Sequence, residues 1–448
     1  MPNSPASPAP QAPGFAEASR FWLKLGCISF GGPAGQIALM HRELVEQRRW
    51  LSERRFLHAL NYCMLLPGPE AQQLATYLGW LLHRTAGGLV AGILFVLPSL
   101  MLLIGLSWAY LAFAGTPLLA GVFYGIKPAV TALVLQAAWR IGQRTLRNRY
   151  LQALALAAFL ALFALNLPFP LVIAAAALAG YFGGRRAPQA FAPGGHGHTA
   201  APGYGPALHD DDTPPPAHAR FRPGRLLRIL GVGLLAGGLP ALALGLYFGG
   251  SHDYSQMARF FTQAALLTFG GAYAVLPYVF QGAVEQHAWL SAGQMIDGLA
   301  LGESTPGPLI MIVAFVGYLG GQGKALLGPD ALFAAGALGA LVATWFTFLP
   351  SFLFIFAGAP LIESSQRQLK FTAPLTGITA AVVGVILNLA LFFAGQVLWP
   401  QGYAAGPDLG AAGLAALSLL ALLRFRVGVL PLLSVAAVAG LLLRGAVV

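Results

Sequence analysis

Long apolar runs, separated by short polar stretches that often contain arginine, dominate the chain. A helix that crosses a bilayer needs about 20 mostly apolar residues. The strongest runs cover residues 87–111, 116–139, 150–181, 226–249, 331–359, 372–398, 409–423 and 427–446. The run 150–181 is long enough for a helical hairpin broken at Pro168 and Pro170. The pattern predicts an all-α polytopic membrane protein with about 12 spans, within a range of roughly 10–14.

Six further apolar segments are too short to span a bilayer alone, and each abuts residues that break helices. They cover 19–30, 56–66, 70–82, 258–269, 295–305 and 309–321. The breaks are Gly-Gly and Pro-Gly-Pro sequences, which allow unusual dihedral angles and remove backbone donors. At membrane depth, such backbone is tolerated only where protein or water covers it. The segments are therefore predicted to be half-helices that meet at the bilayer midplane.

The broken segments occur twice, at a constant offset of 239 residues. Phe30-Gly31-Gly32 returns at 269–271, Trp50-Leu51-Ser52 at 289–291, and Pro67-Gly68-Pro69 at 306–308. Residues 21–69 and their counterparts share 14 identities in 49 aligned positions. Farther on, Leu97-Pro98-Ser99 resembles residues 349–351 at an offset of 252, which indicates an insertion in the second half. Three tripeptides in one register indicate an internal duplication.

Between the two copies the composition changes to Gly, Pro, His and Asp. Such a stretch cannot bury a core and is typical of a flexible linker. The predicted organisation is a disordered tail over 1–18, an N-terminal repeat over 19–182, a linker over 183–224 and a C-terminal repeat over 225–448.

Composition narrows the class of protein. Of 448 residues, 57% are hydrophobic and 9% are charged, whereas a soluble protein carries about 25% charged residues. The net charge of +11 does not indicate nucleic-acid binding, because 19 of the 26 Lys and Arg residues lie before residue 229, in short clusters between apolar runs. This placement is typical of cytoplasmic loops. The arginines on both sides of the linker favour a cytoplasmic position for it.

The two copies of one connecting segment differ in charge. The first, Met40–Arg55, carries Arg42, Arg48, Arg49, Arg54 and Arg55, whereas its counterpart, Val279–Gln294, carries no Lys or Arg. The positive-inside rule places only the first connector in the cytoplasm. We therefore expect two inverted-topology repeats, an arrangement found in many secondary transporters. The charge pattern over 42–55 further predicts an amphipathic surface helix at the lipid headgroups.

A half-helix that begins at Pro-Gly-Pro exposes free N–H groups and the positive end of its dipole, and both favour an anion. Two such ends, from Gly68 and Gly307 onward, could face one oxyanion across a pseudo-two-fold axis. Nearby hydroxyls and amides are candidate donors: Ser29, Thr268, Ser304, Thr305, Gln72 and Gln73. The alternative is that the breaks are packing kinks, and the duplication favours the site.

Ionisable residues within spans are expensive and are functional by default. Glu70 and Glu303 flank the two Pro-Gly-Pro turns. A carboxylate repels a dianion unless it carries a proton, so these two residues are candidates to couple proton and anion occupancy. Lys127 is either the counter-charge of the anion or a side chain that snorkels to the interface. Asp297 and His58 occupy equivalent positions of the two copies.

Several motifs in order resemble the chromate ion transporter family in its long two-domain form. They are Ser29-Phe30-Gly31-Gly32-Pro33, the arginine-rich connector ending in Trp50-Leu51, Leu66-Pro67-Gly68-Pro69, Phe95-Val96-Leu97-Pro98-Ser99 and Glu303-Ser304-Thr305-Pro306-Gly307-Pro308. The resemblance runs from Phe15 to the C-terminus, outside the linker. It implies a multi-pass protein of the bacterial inner membrane that exports chromate, driven by the membrane potential or proton gradient, and confers chromate resistance. It also implies two halves of opposite topology.

The predicted substrate-binding residues are Ser29, Phe30, Gly31, Gly32, Pro67, Gly68, Pro69, Gln72, Gln73, Lys127, Thr268, Gly270, Gly271, Ser304, Thr305, Pro306, Gly307 and Pro308. No cofactor and no metal site are expected, since the two cysteines form no CxxC motif. Sulfate has the shape and charge of chromate, so a carrier for sulfate or another oxyanion is the alternative. An intramembrane enzyme is disfavoured because no Gly-x-Ser-x-Gly or His-Glu-x-x-His motif occurs. The oligomeric state, including a homodimer, is left open.

Overall fold

The structure, a computed structural model, describes residues 10–30, 32–191, 204–214, 216–364 and 372–445. Sixteen α-helices lie in these ranges. They are α1 (Phe15–Ile28), α2 (Gly32–His41), α3 (Glu53–Leu65), α4 (Glu70–Ala112), α5 (Pro117–Thr145), α6 (Arg149–Phe163), α7 (Phe169–Arg186), α8 (Pro223–Tyr247), α9 (Asp253–Leu267), α10 (Ala272–Phe280), α11 (Ala292–Ser304), α12 (Ile312–Gly323), α13 (Leu332–Ser364), α14 (Thr372–Leu398), α15 (Leu409–Arg424) and α16 (Val429–Gly445).

The helices correspond in order between the two halves. Helices α1–α3 match α9–α11, and α5–α7 match α14–α16. Helix α4 is interrupted at His83 and Arg84, where the backbone leaves helical dihedral angles. Its two parts correspond to α12 and α13, and the predicted insertion is the loop between those helices. Among the described helices, only α8 lacks a counterpart.

The repeats also share irregular turns. A π-helical turn over Arg42–Gln47 has its counterpart over Gln281–Gln286. In the first, the N–H of Trp50 donates to the carbonyl of Leu44, and the matching bond joins Trp289 to Ala283, both at 2.8 Å. The prediction of one amphipathic surface helix over 42–55 is therefore wrong. The helical structure ends with the π turn at Gln47, residues 48–52 are irregular, and α3 begins only at Glu53.

Each repeat opens with two helix–break–helix hairpins. Hairpin A is α1–α2 and hairpin B is α3 with the first part of α4; hairpins C (α9–α10) and D (α11–α12) are their counterparts. Contacts join the open ends within each repeat. In the first repeat, Arg48 lies 3.4 Å from Glu17, and His83 Nε2 contacts the carbonyl of Pro13 at 2.9 Å. The open ends of A and B therefore lie on one face of the molecule.

Hairpins C and D are joined in the same way. Lys324 Nζ lies 2.8 Å from Asp253 Oδ1 and donates to the carbonyl of His287 at 3.0 Å. The indole N–H of Trp289 donates to the same carboxylate at 2.7 Å. These contacts gather the start of α9, the second connector and the end of α12 on one face.

Of the helices in the described part of the chain, five are long and apolar enough to cross a membrane. They lie at 70–112, 117–145, 223–247, 329–363 and 373–398. Four apolar helices of 10–17 residues accompany them, at 149–163, 309–323, 409–424 and 429–444. The predicted break in the run 150–181 is the turn between α6 and α7. The chain is thus a multi-pass helical membrane protein.

One described part of the predicted linker, residues 204–213, is packed against the first connector. We call residues 204–213 the strap. The N–H of His209 donates to the carbonyl of Trp50, and the N–H of Ser52 donates back to the carbonyl of His209, both at 3.1 Å. Ser52 Oγ also donates to Asp211 Oδ1 at 2.6 Å, and the Arg55 guanidinium donates to the carbonyl of Thr213.

The predicted domain boundaries differ from the helix ends. Helix α1 begins within the predicted tail 1–18, α7 extends past residue 183, and α8 begins before residue 225. Residues 1–9 and 192–203 lie outside the described residues.

Candidate functional site

The four helix breaks form the tips of hairpins A–D, and these tips contact one another. Each of the two backbone hydrogen bonds between tips joins the first repeat to the second. The N–H of Gly68, in the tip of hairpin B, donates to the carbonyl of Thr268 in hairpin C at 2.7 Å. The N–H of Gly307, in hairpin D, donates to the carbonyl of Ser29 in hairpin A at 2.8 Å. These two bonds are equivalent under the 239-residue offset. Such reciprocity is the property of a two-fold relation, so the duplicated motifs form one shared centre.

Both crossing glycines have dihedral angles that favour glycine, with φ of +123° at Gly68 and +108° at Gly307. Both are also closely packed against the other repeat. A Cβ at Gly68 would lie within 2.5 Å of Ser351 Oγ, and one at Gly307 would lie 2.7 Å from the Cβ of Ser99. Ser99 and Ser351 end the two Leu-Pro-Ser motifs, so these repeated serines line the crossing as well.

The four predicted hydroxyl donors direct their protons to their own helices. Ser29 Oγ donates to the carbonyl of Leu25 at 2.5 Å, and Thr268 Oγ1 donates to that of Ala264 at 2.6 Å. Ser304 and Thr305 likewise donate to carbonyls three residues earlier. A hydroxyl has one proton, so these groups present lone pairs, not donors, to anything that lies beside them.

Three glutamines are fully buried at the centre: Gln36, Gln72 and Gln73. Gln73 Nε2 donates to the carbonyl of Pro67 at 2.8 Å, and Gln72 Nε2 donates to Thr76 Oγ1 at 3.0 Å. Gln36 reaches across the repeats, because its Nε2 donates to the carbonyl of Gly307. Gln36 was missed by the sequence reasoning. It is a polar residue four positions after the Gly-Gly break, and Val275 occupies the equivalent position.

Glu303 and Glu70 have different surroundings. Glu303 is buried near the end of α11, accepts a hydrogen bond from the Tyr273 hydroxyl, and lies within electrostatic reach of Arg140 on α5. Glu70 is half-buried as the first residue of α4, directly after the N-cap Pro69. Of these two glutamates, Glu303 alone has a tyrosine donor and a nearby cation among the described residues.

Lys127 does not stand alone, because its Nζ lies 3.3 Å from Asp297 Oδ2. Asp297 is 4% exposed and also accepts a hydrogen bond from the Tyr110 hydroxyl at 2.9 Å. The structure therefore gives Lys127 a protein carboxylate as its partner. The sequence predicted either an anion or the membrane interface as the surroundings of its amino group, and neither interpretation included Asp297. Asp297 could have been suspected from sequence as an acidic residue within a short apolar helix.

The remaining predicted residues lie at the hairpin tips. Phe30 is 38% exposed, whereas Gly32, Gly270 and Gly271 are half-buried and have positive φ. The four prolines flank the crossing glycines. Gly31 lies outside the described residues.

The family comparison agrees with this two-part architecture. A model of the chromate transporter family matches residues 16–181 and again residues 255–441. The chain belongs to the chromate transporter family. The two matches cover the helices that correspond between the halves and leave out the strap and α8.

Chromate transport proteins are among the similar chains. One from Pseudomonas aeruginosa is 32% identical over 406 residues, covering 88% of this chain and 85% of the relative. One from Cupriavidus metallidurans is 30% identical over 409 residues, covering 91% and 87%. An uncharacterised transporter of Methanocaldococcus jannaschii is 25% identical over 382 residues, covering 84% of each chain. No solved structure shows significant similarity to the chain.

Proposed function

We propose that the protein is a secondary transporter that exports chromate across the bacterial inner membrane and so confers chromate resistance. The observation that carries the proposal is the crossed pair of glycine contacts between opposite repeats. Broken helices that meet between two repeats are the usual site of substrate in such transporters. The names of the relatives supply the substrate class.

The proposed topology has four hairpins that enter the membrane and return. Hairpins A and B enter from the cytoplasm, because their open ends contact the arginine-rich connector. The second part of α4 and then α5, α6 and α7 cross the membrane four times, and α8 crosses once more. Hairpins C and D then enter from the opposite side. This gives nine crossings, fewer than the twelve expected, because pairs of half-helices return to the side from which they entered.

Contacts between the repeats support this inversion. Gln281, in the second connector, accepts a hydrogen bond from the N–H of Phe169 at 3.2 Å. Phe169 is the first residue of α7, at the end of the turn that follows α6, and this turn is one crossing away from the cytoplasmic face. Tyr124, near the outer end of α5, donates to Asp408 at 2.8 Å, in the loop that follows α14. Each contact joins segments that the proposed topology places on the outer side.

The loop charges agree with the same orientation. Basic residues cluster in the segments that this topology places in the cytoplasm, as the positive-inside rule requires. Besides the first connector, these segments contain Arg144, Arg147, Arg149, Arg185, Arg186, Arg220, Arg222, Arg225, Arg228, Arg424 and Arg426. The strap contacts that connector, so it lies on the cytoplasmic side too.

The membrane potential alone can drive export. Moving one charge through 100 mV is worth about 2.3 kcal/mol, so a dianion leaving an inside-negative cell gains roughly 4.6 kcal/mol. At about 1.4 kcal/mol per decade, this supports an outward gradient on the order of a thousandfold. A proton gradient can add to this force but is not required by the energetics.

The deciding experiment is chromate uptake into inverted membrane vesicles that contain the full chain. We expect uptake that depends on membrane potential and exceeds that of vesicles lacking the protein. Sulfate is added as competitor, with and without a pH gradient. If sulfate is taken up in preference to chromate, the alternative oxyanion carrier is correct. Absence of uptake of either ion would refute the proposal.

Glu303 and Glu70 are proposed to couple proton and anion occupancy. A negatively charged carboxylate beside the crossing repels a dianion, so each must be neutral when the anion is bound. Glu303→Gln and Glu70→Gln imitate the neutral form, and we expect loss of the part of the pH dependence that these carboxylates cause, leaving only the part that follows from protonation of chromate itself. Uptake with the wild-type pH dependence in both variants would disprove the coupling role. Glu285→Gln, at the exposed second connector, is the matched control.

A further inference from the structure

Most polar side chains at the crossing present hydrogen-bond acceptors, and the exception is Ser99, whose buried Oγ has no partner among the described residues and keeps one O–H that can donate. The hydroxyl protons of Ser29 and Thr268 are engaged by carbonyls of their own helices. The N–H groups of Gly68 and Gly307 are engaged by each other's repeats. A fully deprotonated oxyanion also has only acceptors. The centre is therefore poorly matched to a bare dianion along most of its side-chain surface.

The orientation of the Gln73 amide is fixed by its neighbour. Its NH₂ group faces the carbonyl of Pro67 at 2.8 Å. A carbonyl oxygen can only accept, so the amide cannot be turned around without losing this bond. Gln73 Oε1 is consequently a buried acceptor, and it has no hydrogen-bond partner among the described residues. A buried acceptor without a donor costs about 1–3 kcal/mol.

Gln36 repeats this arrangement at the second crossing. Its NH₂ faces the carbonyls of Ser29 and Gly307, and its Oε1 is likewise buried and lacks a partner in the described ranges. Both glutamines belong to the first repeat, and the equivalent positions hold Ile312 and Val275. These two amide acceptors therefore occur only in the first repeat and are not a product of the duplication.

Donors are available next to the Gln73 amide. Gln73 lies in the first turn of α4, where the N–H groups of Glu70, Ala71 and Gln72 have no acceptor within the helix. One turn therefore presents backbone donors together with a side-chain acceptor. An oxyanion that keeps one proton offers the complementary set, namely several acceptor oxygens and one O–H donor.

We propose that the transported species is the monoprotonated oxyanion, hydrogen chromate, and that Gln73 selects it by accepting its O–H. This inference rests on the proposed function and names the substrate form for that site. Hydrogen chromate loses its proton near neutral pH, so a cell contains both forms. Hydrogen sulfate is a strong acid and is absent at that pH. Sulfate therefore leaves Gln73 Oε1 unpaired, and a site that binds an O–H strongly rejects an analogue without one.

The consequence for transport is that each chromium leaves with one proton and one net negative charge, so a given membrane potential supplies half the driving force that it would supply to a dianion. In vesicles, the rate at fixed total chromate should fall as the pH of the loading side rises through the chromate titration. The total chromate concentration is kept low so that hydrogen chromate does not condense to dichromate.

Arsenate and selenate form the matched test of this idea. Both are tetrahedral oxyanions of similar size, but at neutral pH arsenate keeps a proton and selenate does not. We expect arsenate to inhibit chromate uptake at least about tenfold more strongly than selenate, which is the effect of one satisfied acceptor. Phosphate and sulfate form a second pair of inhibitors for the same comparison.

The variant Gln73→Met removes the acceptor at nearly constant side-chain length. We expect its arsenate-to-selenate preference to fall by about tenfold. Gln322→Met is the matched control, since Gln322 also has a buried Oε1 without a described partner but lies at the far end of α12. It should keep the wild-type preference.

The inference is overturned if wild-type vesicles take up chromate but selenate inhibits as well as arsenate, or if uptake rises with pH. In that case the proposed function stands, because chromate is still transported. If no chromate enters, the proposed function fails instead. These wild-type measurements decide the question even where Gln73→Met does not fold.

Discussion

The pairing of Lys127 with Asp297 is the residue-level feature that departs most from what the sequence predicted. The chain brings together a lysine of α5, an aspartate of α11 and Tyr110 of α4. From the sequence, Lys127 allowed two roles, and Asp297 was identified only as the counterpart of His58. Their contact makes the pair a unit, because removing one partner of a buried pair leaves an uncompensated charge.

We predict that Lys127→Met and Asp297→Asn each destabilise the protein by about 1–3 kcal/mol, less than for a fully buried pair because Lys127 is partly exposed. The double variant should recover most of this stability, since no unpaired charge remains. Thermal unfolding in detergent and chromate uptake are the two measurements. If Lys127 instead serves the anion, the double variant recovers stability but not uptake.

The control for this cycle is Lys324→Met, because Lys324 is exposed and its partner Asp253 keeps the hydrogen bond from the indole N–H of Trp289. This variant should differ little from the wild type, by about 1 kcal/mol or less, because solvent screens the charge of Lys324.

Among the elements, the strap shows how a stretch without helical signal becomes ordered. Its sequence indicates a solvated linker, and composition alone could not reveal that it pairs with the first connector. The backbone groups of Trp50 and Ser52 are left free by the irregular turn before α3, and the strap supplies their partners.

We predict that docking of the strap weakens in acid. Burial, the Arg55 guanidinium and His218 lower the pKa of His209 from its ordinary value of 6.5 to about 4. The docked strap therefore favours neutral His209. Its docking is fully stabilised above pH 6.5 and is lost progressively as the pH falls towards 4.

Thiol labelling measures this change, with Cys27 and Cys63 replaced. Labelling of Ala207→Cys, a buried strap position, is divided by labelling of the exposed Asp212→Cys to cancel the reactivity of the thiol itself. The ratio should rise between neutral pH and pH 4, and His209→Gln should make it independent of pH. A flat ratio in the wild type would contradict the prediction.

At the scale of the whole molecule, the repeats meet through their hairpin tips, and in the proposed topology α8 sets their relative orientation. A repeat with four crossings returns to its starting side, so a second copy joined directly would have the same orientation. One additional helix reverses it. In this arrangement α8 needs no counterpart, and its faces are mostly exposed within the described chain.

We predict that Gln47→Cys is labelled only from the cytoplasm and Gln286→Cys only from the opposite side. Both positions are exposed and equivalent in the two connectors. The measurement uses a membrane-impermeant thiol reagent on whole cells and on inverted vesicles, in a chain without Cys27 and Cys63. Labelling of both positions from one side would refute the inverted topology.

The sequence by itself determined the helical membrane-protein class, the duplication and the family. Apolar periodicity, glycines and prolines act locally, so the breaks at Gly68 and Gly307 were predictable. Only the tertiary structure decided which breaks meet, that the hydroxyls of Ser29 and Thr268 bond to their own helices, and that Lys127 faces Asp297. These outcomes depend on contacts between residues more than a hundred positions apart, or on how a hydroxyl divides its one proton among neighbours. The sequence names the polar groups of the centre, and packing decides whether each one donates or accepts.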